Sequence, residues 1–250
     1  MATKNNLQDK VVIITGGTKG IGLAVAKRVS AAGAYVVINY GRDSSAADAA
    51  VASLPANRAL AVQADAGSPA AMKDLVAQAK SKFGRVDVVI ANAGIMQLRP
   101  LEALTEADFD TSFNLNVKGP LFLTQAAASE MEAGGRIIFI STGVARSSAV
   151  VPAYALYAST KGAVEQLTRT LSKDLGKRGI TVNAVAPGPC DTELFRNGKT
   201  EQMIQGIAAA SPFNRIGKPD EVAEVIAFVA GPESSWVSGQ IIHANGASFV

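Results

Sequence analysis

Short apolar runs separated by helix-length segments leave this chain few ways to fold. The runs are VVIIT (11–15), YVVIN (35–39), ALAVQAD (59–65), VDVVIANAG (86–94), GRIIFIST (135–142), ITVNAVAPG (180–188) and GQIIHANG (239–246). Several are apolar at consecutive positions, so both faces of those strands must be covered, which is the signature of a parallel sheet between two helical layers. The segments between them have helical marks. Ile21, Ala24, Val25 and Val29 recur at helical spacing, and Gly33 ends that run. Ser68 and Pro69 open a helix as N-cap and first residue, and Thr105 caps another that begins EADF. An alanine-rich segment (44–54), a long stretch (153–178) and PDEVAEVIAFVAG (219–231) complete the set. The expectation is a single α/β domain over 1–250, doubly wound, with a mostly parallel seven-stranded sheet flanked by helices. The irregular piece, 188–218, reads as a substrate lid.

Composition narrows the function. No run approaches the roughly 18 apolar residues of a membrane span, and the N-terminal MATKNNLQDK has no apolar signal core. A cytoplasmic protein without a membrane partner is expected. The single cysteine, Cys190, excludes an internal disulfide and a cysteine cluster for metal. The single histidine, His243, reads as a core or surface side chain, and no metal is expected. The net charge of +3 is spread among interspersed acids and bases, so no nucleic-acid partner is expected.

TGGTKGIG (15–22) follows the first strand. In open parallel sheets ligands bind beyond the carboxyl ends of the strands, and a glycine turn feeding a helix N-terminus receives a pyrophosphate. The spacing Gly16, Gly20, Gly22 differs from G-x-G-x-x-G; taken alone, the turn has a tight bend with close helix packing as its alternative reading. Where a Rossmann-type fold places an acid for the adenosine ribose, this chain has Asn39, then Tyr40, Gly41 and Arg42. A neutral side chain there does not repel a 2′-phosphate, and Lys19 and Arg42 offer it charge. The inference is NADP(H) over NAD(H). Asp43, beside Arg42, counts against it, and ordinary surface charge is the competing account of both cations.

The strongest chemical signal is YALYASTKGAVEQLTRTLSKDL (154–175). Val164, Leu167, Leu171 and Leu175 form its apolar stripe; Tyr157 projects onto the stripe and Lys161 to its edge, four residues apart and therefore neighbours. An ammonium beside a phenol lowers the phenol's pKa and makes it an acid or base for a carbonyl/alcohol pair. A surface tyrosine with a solvated lysine fits the bare spacing as well.

TGGTKGIG, ANAG (91–94), NLNVKG (114–119), GRIIFIST, YASTK (157–161) and VNAVAPG (182–188) occur in that order, followed by PFNRIGKPDEVA (212–223) and SSWVSGQ (234–240). Together, over about 8–247, they resemble the short-chain dehydrogenase/reductase (SDR) family. The resemblance implies Tyr157 as proton donor or acceptor, Lys161 as its activator and a ribose ligand, and Asn116 as holder of a relay water. It implies cofactor contacts from Gly16, Thr18, Lys19, Gly20 and Ile21 in the first turn and from Asn39, Tyr40 and Arg42 after the second strand. Asp65 and Ala66 would meet the adenine, Asn92, Ala93 and Gly94 would line the fourth strand, and Pro187, Gly188 and Thr192 would hold the nicotinamide end. A strand alignment puts Thr142 in the family's serine slot, with Ser141 beside it, and the loop GVARSSAVV is about two residues longer than usual. Alternation along the strand favours Thr142 as the substrate-orienting hydroxyl. The implied function is an NADPH-dependent carbonyl reductase for a small hydrophobic ketone, its pocket drawn from Met96, Leu98, Val144, Leu194, Phe195 and Met203. A 3-oxoacyl-[acyl-carrier-protein] reductase and a non-catalytic NADP-binding redox sensor are the alternatives. Relatives of this kind imply a homotetramer.

Overall fold

A computed structural model describes residues 6–148 and 150–249. Residues 1–5 of the polar N-terminal segment, Ala149 of the long loop and Val250, all within the expected 1–250 domain, lie outside the described residues. The strands are β1 (Val11–Thr15), β2 (Tyr35–Tyr40), β3 (Ala59–Gln63), β4 (Val88–Ala91), β5 (Arg136–Ile140), β6 (Thr181–Pro187) and β7 (Ile241–Ala244). They form one seven-stranded sheet in the order β3-β2-β1-β4-β5-β6-β7. Every pairing is parallel, so the sheet is more uniform than the mostly parallel one expected.

Strand alternation divides the core in two. Val12, Ile14, Val36, Ile38, Ile90 and Ile138 face one layer, with Val25 and Val29 of α1 (Gly20–Ala31), Ala50 of α2 (Ser44–Ala52) and Ile226 of α9 (Pro219–Ala230). Val11, Ile13, Val37, Val89, Ile137 and Phe139 face the other. There they meet Leu75 of α3 (Pro69–Phe83), Leu123 of α5 (Gly119–Glu130) and Val164 of α6 (Ala155–Leu175). This double covering is what the consecutive apolar positions demand. β1 connects rightward to β2 and leftward to β4, and the reversal between them opens a crevice at their carboxyl ends.

Two segments depart from expectation. The helix opened by Thr105 is α4 (Glu106–Phe113), and a π-helical turn, Asn114–Lys118, joins it to α5. The segment 188–218 is not irregular throughout: it carries α7 (Glu193–Arg196) and α8 (Glu201–Ala209). Thr192 Oγ1 accepts from Phe195 N at 3.1 Å and Thr200 Oγ1 from Met203 N at 3.2 Å. These caps stabilise helices too short to show a clear apolar period. No helix among the described residues is long and apolar enough to cross a membrane, and no group of metal-ligating side chains occurs among them.

Candidate active site

The crevice between β1 and β4 is built by hydrogen bonds that leave the glycine turn rigid and open. Thr15 Oγ1 accepts from Asn92 N and Ala93 N, both at 3.0 Å. Asn92 Nδ2 donates to Thr15 O at 2.9 Å and Gly16 O at 3.0 Å. Gly16 has φ +61°, and a Cβ there would stand 3.1 Å from Ala93 Cα. A Cβ on Gly22 would overlap the Gly16 carbonyl oxygen and stand 2.7 Å from Asn92 Nδ2. Alanine at position 22 gains about 1 kcal/mol in helix propensity, but forcing the turn from Asn92 costs about 3 kcal/mol. Gly22→Ala is therefore expected to lower the melting temperature and weaken NADPH binding together, read by thermal melts and a fluorescence titration.

The amino end of α1 lacks a side-chain cap, as do those of α5 and α6. α2, α3, α4, α7 and α8 open on a capping oxygen from Asp43, Ser68, Thr105, Thr192 and Thr200. α1 opens on Lys19 with no side-chain cap, so its first N–H groups and dipole face the crevice beside a cation, a setting that suits a pyrophosphate. Thr18, Gly20 and Ile21 are half-buried in the same turn. A Cβ on Gly20 would meet Thr192 Cγ2 at 3.1 Å, which places Thr192 against the turn from the opposite side.

At the end of β2, Asn39 is buried and faces inward. Its Oδ1 accepts from Gly16 N at 3.4 Å and its Nδ2 donates to Ala64 O at 2.9 Å. It ties β2, β3 and the glycine turn together instead of presenting itself to a ribose, which corrects its expected contact. The exposed functions are Lys19 and Arg42. Lys19 Nζ pairs with Asp43 Oδ2 at 3.1 Å and Glu193 Oε2 at 3.5 Å, while Arg42 is exposed and unpaired among the described residues. Asp43, the α2 cap, has its carboxyl pushed down to about 2, first by the Ala46 N–H and then by Ser45 and Lys19. Tyr40 is half-buried beside Asn39. Asp65 is exposed and accepts from Gly67 N at 2.9 Å, next to half-buried Ala66. Pro187 ends β6, and Gly188 N donates to Ala244 O at 3.1 Å.

Asn116, 1% exposed, sits in the π turn. Its amide exchanges hydrogen bonds with the backbone of Ile95, both 2.9 Å, and donates to Thr160 Oγ1 at 3.1 Å. A Cβ on Gly94 would lie 3.1 Å from Asn116 Oδ1 and 3.6 Å from Lys161 Nζ, so the three converge. Lys161, 5% exposed, donates from Nζ to Ile140 O at 2.7 Å and lies 5.9 Å from the centre of the Tyr157 ring. The Thr142 side chain lies near enough to the Tyr157 phenol to favour its ionised form. Ser141 points away: its Oγ donates to Glu165 Oε1 at 3.0 Å beneath α6. The structure thus brings Tyr157, Lys161, Asn116 and Thr142 to one end of the crevice and leaves Ser141 outside it. Thr15 and Thr160, which complete this framework, lie inside TGGTKGIG and YASTK but have no expected role there; Glu165 lies outside every motif.

Burial controls both titrating groups. It pushes the Tyr157 phenol up to about 12, opposed by the Thr142 side chain and reinforced by Tyr154. It pulls the Lys161 ammonium down to about 8. The expected lowering of the phenol by Lys161 is not found: burial dominates, and the opposing pull comes from Thr142. For Lys161 the unfolded chain holds the proton between about pH 8 and 10.5 and the folded chain releases it, so stability rises with pH across that window. Lys161→Met is accordingly expected to stabilise the fold by about 1–3 kcal/mol at pH 7. The gain should fade toward pH 10.5, the lysine's ordinary value, as thermal melts at the two pH values will read.

The expected pocket residues ring the approach. Met96, Val144 and Phe195 are half-buried, and Leu98, Leu194 and Met203 are exposed. A parallel bridge between Cys190 and Gly217 closes the base of the segment carrying α7 and α8. A separate cavity of about 400 Å³ lies behind that segment, lined by Cys190, Phe213, Glu221 and His243 and by none of the four converging residues.

Comparison with known proteins follows the same lines. A family profile described as enoyl-(acyl carrier protein) reductase matches residues 16–247. Versicolorin reductase 1 of Aspergillus parasiticus is 39% identical, with all of both chains covered. The hydroxynaphthalene reductase-like protein Arp2 of Metarhizium majus is 37% identical, over 98% of this chain and 97% of its own. A short-chain dehydrogenase from Burkholderia cenocepacia, solved in complex with NADP, superposes with a TM-score of 0.93 at 37% identity, covering 98% of this chain and 100% of that one.

Proposed function

This chain belongs to the short-chain dehydrogenase/reductase family, and on that premise we propose that it is an NADPH-dependent reductase of hydrophobic ketones, with Tyr157 as its acid. One observation carries the reading: the Tyr157 phenol, beside Thr142 and 5.9 Å from Lys161 Nζ at its ring centre, ends the same crevice at which Lys161 and Asn116 converge on Gly94. The cofactor assignment is supported by the uncapped amino end of α1 and by the NADP named for the Burkholderia protein.

In this reading Gly16, Thr18, Gly20 and Ile21 receive the pyrophosphate, and Lys19 and Arg42 take the 2′-phosphate. Asp65 and Ala66 line the adenine side. Asn92, Ala93 and Gly94 form the floor, and Pro187, Gly188 and Thr192 hold the nicotinamide end. A dihydronicotinamide held by these residues would supply hydride chemistry for a carbonyl carbon. Thr142 Oγ1 orients the carbonyl oxygen, and Tyr157, fully protonated at neutral pH with its phenol near 12, delivers the proton to the developing alkoxide. Lys161 holds the ribose and supplies positive charge beside the phenol. Asn116, its side chain tied to the backbone of Ile95, fixes the bend that presents the relay. Met96, Leu98, Val144, Leu194, Phe195 and Met203 offer an apolar mouth, with 188–218 as its lid.

An aromatic ketone fits this mouth, and the hydroxynaphthalene in one relative's name supports it. An acyl-carrier-protein thioester is the second reading, favoured by the description of the matching profile. The chain assembles as a tetramer through α5, α6 and β7, a reading supported by the half-exposed β7 edge and by Trp236, 99% exposed beside it. NADPH consumption over a panel of aromatic and aliphatic ketones and acetoacetyl-carrier protein tests the function. Turnover with carrier substrate alone favours the second reading, and no turnover with any of them overturns both.

A further inference from the structure

α6 grips three consecutive residues at the end of β5 with three side chains spaced four apart. Tyr157 stands beside Thr142, Lys161 bonds to the carbonyl of Ile140, and Glu165 accepts from Ser141 between them. The first two belong to the site already described; the third has no part in it. Glu165 is 4% exposed, and its only partners among the described residues are Ser141 Oγ at 3.0 Å and Arg169 Nη2 at 3.2 Å.

A buried carboxylate is poorly explained by stability, since a well-packed apolar side chain serves a helix–sheet contact at least as well. Nor is it needed to keep the strand in place. Ser141 N already donates to Val185 O at 2.8 Å, extending the ladder to β6. What an apolar side chain cannot supply is a fixed acceptor for the Ser141 hydroxyl. That bond settles the rotation of the residue joining Ile140, held by Lys161, to Thr142, which meets the phenol.

We infer that Glu165 is a positioning residue: by holding Ser141 it sets where the Thr142 hydroxyl stands relative to Tyr157. The inference rests on the reading that Thr142 orients the substrate oxygen. Glu165 itself touches neither Tyr157 nor Thr142 and acts only through Ser141. A small displacement of such a group is costly, because proton and hydride transfer both require the carbonyl in one pose.

The test compares Glu165→Ala, Glu165→Gln, Ser141→Ala and the Glu165→Ala/Ser141→Ala pair in the full chain. NADPH turnover, KM for NADPH and thermal melts are read for each. Glu165→Ala is expected to lower kcat roughly 10- to 100-fold, with KM for NADPH nearly unchanged. Ser141→Ala should lower kcat to a similar degree without loss of melting temperature. The double variant should be no slower than the slower single one, because both break the same link. Glu165→Gln, which keeps an acceptor for Ser141, should recover most of the rate. If Glu165→Ala does not fold, Ser141→Ala and Glu165→Gln still decide. A Ser141→Ala enzyme as fast as the unaltered one overturns the inference, as do losses that multiply in the pair. An inactive unaltered chain overturns the reductase reading and this inference with it, whereas an active chain with a silent Ser141→Ala overturns the inference alone.

Discussion

Replacing Tyr157 with phenylalanine is expected to leave a chain that folds and binds NADPH but reduces ketone roughly 10²- to 10⁴-fold more slowly. The ring is retained, so packing beneath it changes little, and only the phenol oxygen that meets Thr142 is lost. With that proton held up to about pH 12, the enzyme's rate should not fall at neutral pH for want of a protonated phenol. Any fall on the alkaline side near pH 8 would instead trace to Lys161 losing its charge. The checks are the rate of NADPH absorbance loss and a binding titration by cofactor fluorescence. A Tyr157→Phe chain within a few fold of the unaltered rate would remove the phenol from the mechanism.

The second large effect concerns the choice of cofactor. Lys19→Ala/Arg42→Ala is expected to cut kcat/KM with NADPH by on the order of 10²-fold or more while leaving the NADH value nearly constant. A hydrogen bond to a charged group contributes about 1.5–3 kcal/mol, and two cations are removed. Lys19 is already engaged by Asp43 and Glu193, so a phosphate must displace an exposed ion pair. Exposed pairs contribute only about 0–1 kcal/mol, and a dianionic phosphate therefore prevails. Arg42 has no pair to break among the described residues. Steady-state rates with both cofactors read the outcome, and an equal loss with NADH would assign these cations a structural role.

Much of this arrangement could be read from the residues. Strands such as VVIIT and RIIFI carry four consecutive apolar residues, so a sheet covered on both faces was the available solution. The glycine turn and the Tyr157–Lys161 spacing then located the crevice. What stayed hidden depends on direction and depth. Asn39 occupies the expected place at the end of β2, yet its side chain turns inward to Gly16 and Ala64, and no spacing reports the rotamer. The separation of Tyr157 from Lys161 revealed their proximity but not the burial that moves the phenol up and the ammonium down. α7 and α8 escaped notice because four and nine residues hold too few turns for a period to emerge. Glu165 looked like one more polar residue on a long helix; its importance arises only from Ser141, distant in the chain and 3.0 Å away.

The pairing of Cys190 with Gly217 has a consequence for how such a molecule diversifies. Residues 191–216 run out from this single pairing and back to it, so the excursion is bracketed by its own two ends. A graft of different length or character between those points alters the substrate mouth while every ladder from β1 to β7 stays whole. New specificities can thus be written into the chain at a single place, without disturbing the scaffold that carries the chemistry.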